Sequence, residues 1–254
     1  MKIIYLGALS TGLVVILGMV AVLPAFTQQN APPQLDAMLV FEVNKAAADN
    51  LPYWCTGLAE TLKKYDVRAT IFMPGSVADS YPRCVVEFAA DDRIDIGSQT
   101  YSYVNLASIP DYTRALDEVK SGKHAIDRAG RLDSQLFRAP SGTVVDPDIY
   151  SLLSRSGIFA DFSYSTHYNK FLDGQFIRYK IQSFDGTQYP PEHFFALKEI
   201  SDPIIISFDN SVPIKQIDAF LAGITAGKPE DYKLRFANAS DVARMPLTIR
   251  KGAL

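Results

Sequence analysis

The stretch IDIGSQTYSYVNL, residues 94–106, has the pattern of a strand that runs into a loop able to present two side chains to a metal ion. The two presenting positions carry Gln99 and Tyr103, where histidines would be suitable ligands. Zinc prefers imidazole, thiolate and carboxylate groups. Gln99 offers only a neutral carbonyl oxygen, and Tyr103 is a poor ligand unless its phenol, with a pKa of about 10, loses its proton. The chemistry has therefore either moved to other residues or been lost.

Four more polar stretches share this character, because each follows a run of apolar or β-branched residues. They are FEVN at 41–44, FRAPSG at 137–142, ADFSYS at 160–165 and ISFDNS at 206–211. Their carboxylates, arginine and tyrosines make them the remaining candidates for a functional site.

The elements around these stretches alternate between strands and helices. Strands are predicted at 37–43, 67–73, 93–98 and 134–140, and helices at 51–65, 76–92, 109–130 and 145–157, with a turn or kink at Pro82. IFADFSY, FIRYKIQSF, PIIISFD and YKLRFAN are further predicted strands, and IKQIDAFLAGITAG is a helix between the last two. This alternation indicates βαβ units with a mainly parallel sheet. The number of units favours a (β/α) barrel, in which the strand ends carry the functional residues.

The overall charge excludes one class of partner. The chain of 254 residues has 25 Lys+Arg against 28 Asp+Glu, a formal net charge of −3. A nucleic-acid-binding surface needs a basic face. We therefore predict no nucleic-acid partner.

The first 26 residues form a separate predicted unit. Residues 3–26 contain no charged side chain and are long enough to span a bilayer. A cleaved signal peptide and an uncleaved membrane anchor both fit this segment. Both place residues 37–254 outside the cytoplasm, secreted or tethered to the membrane, after a polar linker at 27–36.

Two cysteines and one sequon bear on an exported chain. Cys55 and Cys84 are expected to pair, since thiols of exported proteins usually do, although two buried free cysteines remain the alternative. Two cysteines without a nearby histidine do not make a zinc site. Asn238-Ala239-Ser240 is a short match to a glycosylation sequon.

Several stretches, in this order, resemble the polysaccharide deacetylases of the NodB-homology family. IDIGSQTYSYVNL is similar to the family's HEIGNHTYSHPNL, LFRAPSG to its RPPYG loop, and IIISFDNS to its ILLHD strand end. LAETLKKYDVRATIFMPGSVADSYP and LRFANASDVAR resemble two further family segments. The resemblance spans roughly residues 37–245 and implies a distorted TIM-type barrel. It also implies a metal-dependent enzyme that removes acetyl groups from N-acetyl sugars in chitin, peptidoglycan or an exopolysaccharide.

The resemblance assigns the family's site residue by residue. The residues aligned with the family's TFDD motif are 40–43, so Glu42 stands at the catalytic base and Val43 at the first metal ligand. Gln99 and Tyr103 stand at the two histidine ligands, and Phe208 stands at the histidine that serves as general acid. A metal normally lowers the pKa of its bound water from about 15.7 toward about 7. These residues predict no metal and no cofactor.

The chain has three histidines that could replace the missing ligands. His124 is expected on the solvent side of a helix, and His193 lies in a loop that the pattern does not place. His167 follows the ADFSYS strand on the functional face and is the best replacement candidate. A lone histidine is more often structural or solvated than a metal ligand.

Other parts of the family's site are present. Arg138, Pro140 and Gly142 match the family's R-x-P-x-G loop, whose arginine orients the catalytic base. Asp161 resembles, more loosely, the aspartate that pairs with this arginine. Glu42, Arg138 and Asp161 are therefore expected to cluster at the barrel mouth, either as a polar floor for a ligand or as an ion-pair network that holds the loops.

Aromatic residues near the same face allow two interpretations. Tyr101, Tyr103, Tyr164 and Tyr168 could stack on sugar rings, and Asp209 could bind beside them. Alternatively, Tyr103 with Val43 and Phe208 fills the former metal pocket with hydrocarbon, which we favour on packing grounds.

Three functions follow from these residues. The favoured one is a pseudoenzyme that keeps the fold and a sugar-sized groove, binds an acetylated cell-envelope glycan or assists surface assembly, and has lost deacetylation. The second is a divergent deacetylase that uses Glu42 as its base. The third is a structural surface subunit with no ligand and unknown protein partners.

Overall fold

The fold is taken from a computed structural model, which describes residues 34–142, 149–163, 167–172, 175–195, 203–226 and 233–244. The predicted N-terminal segment and Tyr164 lie outside the described residues. Among the described helices, none is long and apolar enough to cross a membrane.

A ten-stranded sheet forms the centre of the described chain. Its strands are β1 (Gln34–Glu42), β2 (Ala69–Met73), β3 (Ile94–Ser98), β4 (Leu136–Phe137), β5 (Ala160–Asp161), β6 (His167–Leu172), β7 (Gln175–Lys180), β8 (Gln182–Asp185), β9 (Ile204–Asp209) and β10 (Lys233–Ala237). The first strand starts earlier than predicted, so Gln34–Asp36 belong to β1 and not to the linker.

Eight helices and three short 3₁₀ turns connect these strands in the described regions. The helices are α1 (Leu51–Tyr65), α2 (Gly75–Ser80), α3 (Pro82–Ala89), α4 (Tyr112–Gly130), α5 (Ile149–Arg155), α6 (Pro191–Phe195), α7 (Ile214–Ala226) and α8 (Ala239–Arg244). The predicted helix at 76–92 is two helices, because Pro82 lacks an N–H and starts α3. The 3₁₀ turns are Lys45–Asn50, Leu106–Ser108 and Pro140–Gly142.

The sheet curls into a nearly closed barrel, as the sequence predicts. The strand order is β7-β6-β5-β4-β3-β2-β1-β9-β8, with β10 beside the first half of β1. The pairs are parallel except β5–β6 and β6–β7. The stretch FIRYKIQSF, predicted as one strand, is divided between β7 and β8. These two strands lie at opposite ends of the strand order, although a single residue, Ile181, connects them. Ile181 is fully buried in the interior cluster, so the chain passes from one edge of the sheet to the other at this residue.

Residue alternation along β1 separates two apolar layers. Met38 and Val40 pack inside the barrel with Phe72 and Ile205. Leu39 and the other odd-numbered residues pack outward against helices such as α1. Alternate side chains of a strand point to opposite faces, so Glu42, at the end of β1, continues the interior row.

Helix α8 packs against the interior and is held at both ends. The N–H groups of Ala239 and Ser240 donate to Thr70 Oγ1 at 2.8 Å and to Asp95 Oδ2 at 2.7 Å. At the other end, Lys170 Nζ donates to the carbonyl of Ala243 at 3.0 Å. Since a helix end leaves backbone groups without intrahelical partners, these barrel side chains complete the helix.

Asn238, the predicted glycosylation site, lies at the start of α8. Asn238 is 3% exposed, and its Oδ1 accepts the N–H of Asp241 at 3.0 Å as the cap of α8. A glycan would be attached to Nδ2 and not to the capping Oδ1, and it is the burial of the side chain that argues against a glycan here.

Cys55 of α1 and Cys84 of α3 form a disulfide, as expected. Their Cα atoms are 5.6 Å apart and 29 residues apart in the chain. The bond ties together two neighbouring helices on the outside of the sheet.

Replacing both cysteines by alanine should lower the free energy of unfolding by about 3 kcal/mol, because the denatured chain loses a closed loop of this size. Denaturant unfolding measures the change. Thr56→Val is a matched control, since it removes only the exposed hydrogen bond from Thr56 Oγ1 to Glu87 Oε2 between the same helices. A double variant as stable as the control would contradict a stabilising disulfide.

Candidate functional site

A cavity of about 490 Å³ opens where β1, β8 and β9 end. It falls within the size range of ligand pockets in proteins, roughly 300–1,000 Å³. Three carboxyl groups and one guanidinium line it: Glu42, Asp185, Asp209 and Arg138. Hydroxyl side chains supply much of the remaining wall: Tyr103, Ser141, Ser183, Thr187, Ser207 and Ser211. The lining is therefore rich in both hydrogen-bond donors and hydrogen-bond acceptors.

Glu42 and Arg138 form a buried ion pair at this mouth. Arg138 Nε donates to Glu42 Oε1 at 2.7 Å, and the two side chains are only 5% and 14% exposed. Arg138 Nη1 also donates to the carbonyl of Phe162 at 2.5 Å. The guanidinium thus joins the ends of β1 and β5 and restrains the Glu42 carboxylate in one orientation.

Asp161 is not part of this ion pair. It is fully buried, and its Oδ1 accepts hydrogen bonds from both the N–H and the hydroxyl of Ser163. Within the described chain Arg138 forms its ion pair with Glu42 alone. The expected three-membered cluster is therefore a pair, because Asp161 lies between interior residues Ala160 and Phe162 and so faces the other side of the strand.

Burial raises the pKa of Asp161 to about 6, while the Ser163 hydrogen bonds and the charge of Arg138 oppose this rise. Its Oδ2 has no partner among the described residues. Burial therefore disfavours the charged form of this carboxyl group relative to an exposed aspartate.

The same turn ends β5, β8 and β9. In each case an aspartate accepts hydrogen bonds from the N–H and hydroxyl of the residue two positions later: Asp161–Ser163, Asp185–Thr187 and Asp209–Ser211. The Asp-x-Ser/Thr pattern after an apolar strand is the signal in the sequence that could have identified Asp185, which sequence reasoning missed. Two of the three turns line the cavity.

The loop after β3 is held firmly by its surroundings. The Tyr101 N–H donates to the Glu118 carbonyl at 2.9 Å, and the Ser102 N–H donates to Glu118 Oε2 at 2.8 Å. Gly122 lets α4 approach, since a Cβ there would stand 2.2 Å from the Gln99 carbonyl oxygen. These contacts therefore hold the backbone of the loop in one conformation, although Gln99 and Tyr103 stand where the resemblance implies histidine ligands.

Gln99 and Tyr103 occupy different environments in this loop. Gln99 is fully buried, and within the described chain neither Oε1 nor Nε2 has a hydrogen-bond partner. Tyr103 is half-buried, lines the cavity and has a φ of 64°, a conformation that costs energy for a residue with a side chain.

Val43 and Phe208 do not fill the barrel interior, contrary to the packing interpretation. Both belong to the apolar cluster between the sheet and the outer helices. The ring of Phe208 stacks on Phe41 at 5.6 Å between centroids, and one edge of Phe208 reaches the cavity. The mouth keeps an open, largely polar space because the interior row at this level holds Glu42, Ser207 and Asp209 and not the two hydrocarbon side chains.

The residues at the three aligned positions do not suit a metal ion. Val43 is aliphatic, Gln99 is a neutral amide and Tyr103 is a phenol, so the set has no imidazole or carboxylate. In the described residues, no group of three or more His, Cys, Asp or Glu side chains is arranged to hold an ion.

None of the three histidines lines the cavity. His124 is exposed on α4, and His193 in α6 packs on Tyr189 with ring centroids 4.6 Å apart. His167 lies on β6 with its Nδ1 3.2 Å from Arg178 Nη2, and it does not line the cavity. The chain therefore places no histidine at the mouth to replace the missing ligands.

Of the three predicted platform tyrosines that the structure describes, only Tyr103 lines the cavity. Tyr101 lies outside the cavity wall, where its hydroxyl donates to Asp79 Oδ2 at 3.2 Å. Tyr168 is 3% exposed and stacks on Phe162 at 5.2 Å, so it is a core residue. Pro140 is buried and begins the 3₁₀ turn that contains the cavity residue Ser141. Tyr103 and Asp209 are the predicted binding residues that line the cavity.

Comparison with known proteins identifies the family of the chain. Residues 31–158 match the family of polysaccharide deacetylases. A peptidoglycan-N-acetylglucosamine deacetylase of Bacillus cereus is 27% identical over 89 residues, which are 35% of this chain and 32% of that protein. The aligned region thus spans about a third of that curated relative.

Solved structures share the fold at low sequence identity. A Mycobacterium smegmatis protein described as a polysaccharide deacetylase superposes with a TM-score of 0.64 at 15% identity, over 89% of this chain and 96% of that one. A CE4 family pseudoenzyme from Bacillus anthracis gives 0.57 at 15% identity, over 84% and 66%. A mutant of that pseudoenzyme is described as having restored enzymatic activity.

Asp161→Asn should raise the free energy of unfolding at pH 7 by about 1–3 kcal/mol, since burial no longer opposes a charge. Because the folded pKa is raised from 3.8 to about 6, the contribution of Asp161 to stability should be fully present below about pH 4 and be lost as the pH rises through 6. Denaturant unfolding between pH 4 and pH 7 measures both effects.

Asp133→Asn is the control for this pH dependence, because hydrogen bonds from Lys123 and Gln135 lower the pKa of Asp133. Its effect should be smaller and of opposite sign. Identical pH profiles for native protein and Asp161→Asn would contradict the shifted carboxyl group.

Proposed function

The chain belongs to the polysaccharide deacetylase family, and we propose that it binds an acetylated glycan of the cell envelope without removing the acetyl groups. The observation that carries this proposal is a polar, sugar-sized cavity at the family's site whose aligned ligand positions hold Val43, Gln99 and Tyr103. The cavity supports binding, and the residue types argue against the metal-dependent reaction.

The cavity wall is chemically suited to a carbohydrate. Sugar hydroxyls both donate and accept hydrogen bonds, and the wall offers carboxylate acceptors at Asp185 and Asp209 and hydroxyls that do either. Tyr103 adds an aromatic face of the kind that packs on sugar rings. The turns that end β8 and β9 hold both aspartates in place before a ligand arrives.

Deacetylation needs an activated water and a polarised carbonyl, which a metal supplies in metal-dependent hydrolases. Here the general base Glu42 remains, restrained by Arg138, but Val43 points into the outer apolar cluster. Phe208 replaces the general acid that the resemblance implies, so the proton for the leaving amine has no donor at that position. A Bacillus anthracis protein with a similar fold is named a CE4 family pseudoenzyme, which supports the proposal.

We place the protein outside the cytoplasm, on the support of two features. The uncharged segment at 3–26 predicts export, and the Cys55–Cys84 disulfide suits an oxidising compartment. Whether the segment is removed or retained distinguishes a secreted form from an anchored form, and N-terminal sequencing of the mature protein decides between them.

The test uses the full chain, purified in mild detergent. We expect no stoichiometric Zn, Co, Ni or Mn by elemental analysis, and no acetate release from chitotetraose or peptidoglycan. Calorimetry should show binding of N-acetylated chitotetraose, and Asp209→Asn should weaken it by about tenfold, because one charged acceptor is lost. Tyr53→Ser is the control variant, since Tyr53 is 84% exposed on α1 and outside the cavity lining.

Two results would overturn this proposal. Acetate release that depends on bound metal would make the chain a divergent deacetylase with Glu42 as its base. Absence of binding to every acetylated glycan tested would favour a structural surface subunit.

A reconstruction tests the residue assignment separately. Val43→Asp, Gln99→His and Tyr103→His together should raise zinc affinity, measured by competition with a chelator, and the new carboxylate has to turn from the outer apolar cluster toward the mouth to take part. The melting temperature should fall, because Val43 is fully buried among apolar side chains and an aspartate there loses its hydration. Val43→Asp alone is the control and should destabilise the fold without binding zinc. If the triple variant gains no zinc affinity, the three positions do not correspond to the family's ligands.

A further inference from the structure

Asn210 follows β9 and ties the end of that strand to the turn that follows β1. The residue is 8% exposed, and its Oδ1 accepts the N–H of Asn44 at 2.7 Å. Its Nδ2 donates to the carbonyl of Ala47 at 2.9 Å and to the carbonyl of Asn44 at 3.3 Å. The backbone N–H of Asn210 donates to the Glu42 carbonyl at 3.2 Å. One buried amide thus holds a turn that lies 163 residues away in the chain.

This turn carries Asn44, which lines the cavity at the barrel mouth. Asn210 binds both the N–H and the carbonyl of Asn44, and Asn44 Oδ1 accepts the Ala46 N–H at 2.9 Å. Only the oxygen of an amide side chain can accept a hydrogen bond, so the contact with Ala46 fixes which atom of the side chain faces the turn. Within the described chain Asn44 Nδ2 donates to no acceptor. Nδ2 is therefore the donor that Asn44 can offer to a ligand.

The wall beside Asn44 consists mainly of acceptors. Glu42 lies two residues before Asn44, and its in-register neighbour on β9 is Asp209. Both carboxylates line the cavity. The guanidinium of Arg138 is already engaged, since its Nε donates to Glu42 and its Nη1 to a backbone carbonyl. A free amide donor next to these carboxylates gives this part of the wall both hydrogen-bonding capacities.

We propose that Asn44 Nδ2 donates to a hydroxyl oxygen of the bound glycan, and that Asn210 is the positioning residue that holds Asn44 for this contact. This role rests on the proposed glycan binding and names the group that the site recognises, an uncharged sugar hydroxyl. A hydroxyl has one proton to donate and two lone pairs to accept with. It can therefore donate to the Asp209 carboxylate and accept from Asn44 at the same time. Because Asn210 orders the turn before the ligand arrives, binding does not have to order it.

Asn44→Asp tests the donor. The aspartate keeps an oxygen for the Ala46 N–H, so the melting temperature of the free protein should stay at the native value. Binding of N-acetylated chitotetraose to the full chain, measured by calorimetry, should weaken about tenfold, because a hydroxyl has a single proton and cannot serve two carboxylates. The probe has no net charge, so the added carboxylate does not repel it as an ion.

Asn105→Asp is the matched control. Asn105 Oδ1 accepts the Ala107 N–H at 3.0 Å, which is the same local arrangement as that of Asn44 with Ala46, but Asn105 is not part of the cavity lining. The control makes the same chemical change and adds the same charge. Its affinity for the probe should remain within about twofold of the native value.

A double-mutant cycle tests the positioning role of Asn210. Asn210→Ala should weaken binding about tenfold, and Asn44→Asp in that background should weaken it by no more than about twofold further, because the donor is no longer held. Should Asn210→Ala fold poorly, Asn210→Asp keeps the acceptor for the Asn44 N–H and removes only the two Nδ2 donations. The same coupling is expected in that cycle.

The outcomes separate these roles from the proposed function. If Asn44→Asp binds as tightly as the native protein, or no more weakly than Asn105→Asp, Asn44 does not contact the glycan, although glycan binding stands. If the effects at Asn44 and Asn210 simply multiply, Asn210 does not position Asn44. A native protein that binds no acetylated glycan removes the proposed function, and both assignments with it.

Discussion

The ion pair between Glu42 and Arg138 is the interaction on which the mouth of the barrel depends. Its two partners come from strands that are not neighbours, and the 2.7 Å contact crosses the interior between them. Removing either partner would leave a buried charge uncompensated, which is far more costly than the pair itself is stabilising. The pair therefore fixes the positions of β1 and β4 relative to each other and, through the Phe162 carbonyl, of β5.

The inward-facing side chains of each strand determine the character of the cavity beside this ion pair. Ser207, Asp209 and Asp185 continue the inward-facing rows of β9 and β8, so the cavity is polar. Val43 and Phe208 lie on the outward rows and strengthen the apolar layer under the helices. The cavity at the mouth is therefore open and lined mainly by polar side chains.

Rigidity at the other end of the barrel and in the β3 loop supports this site. Thr70, Asp95 and Lys170 hold both ends of α8 against the interior. The loop after β3 packs closely on α4 at Gly122, so Gln99 and Tyr103 lie on a backbone that is held in place. In such a frame an unsatisfied amide at Gln99 and a strained φ at Tyr103 are local features that the rest of the fold tolerates.

The sequence by itself determined the barrel, the helix at residues 51–65, the disulfide and the closeness of Glu42 to Arg138. These follow from local periodicity and from motifs, which are written in consecutive residues. Only the tertiary structure decided that Asp161 pairs with Ser163 and not Arg138, that Tyr168 and Asn238 are buried, and that Asp185 joins the cavity. Those outcomes depend on which face of a strand a residue occupies and on contacts between strands distant in the chain, and a one-residue shift in register reverses them.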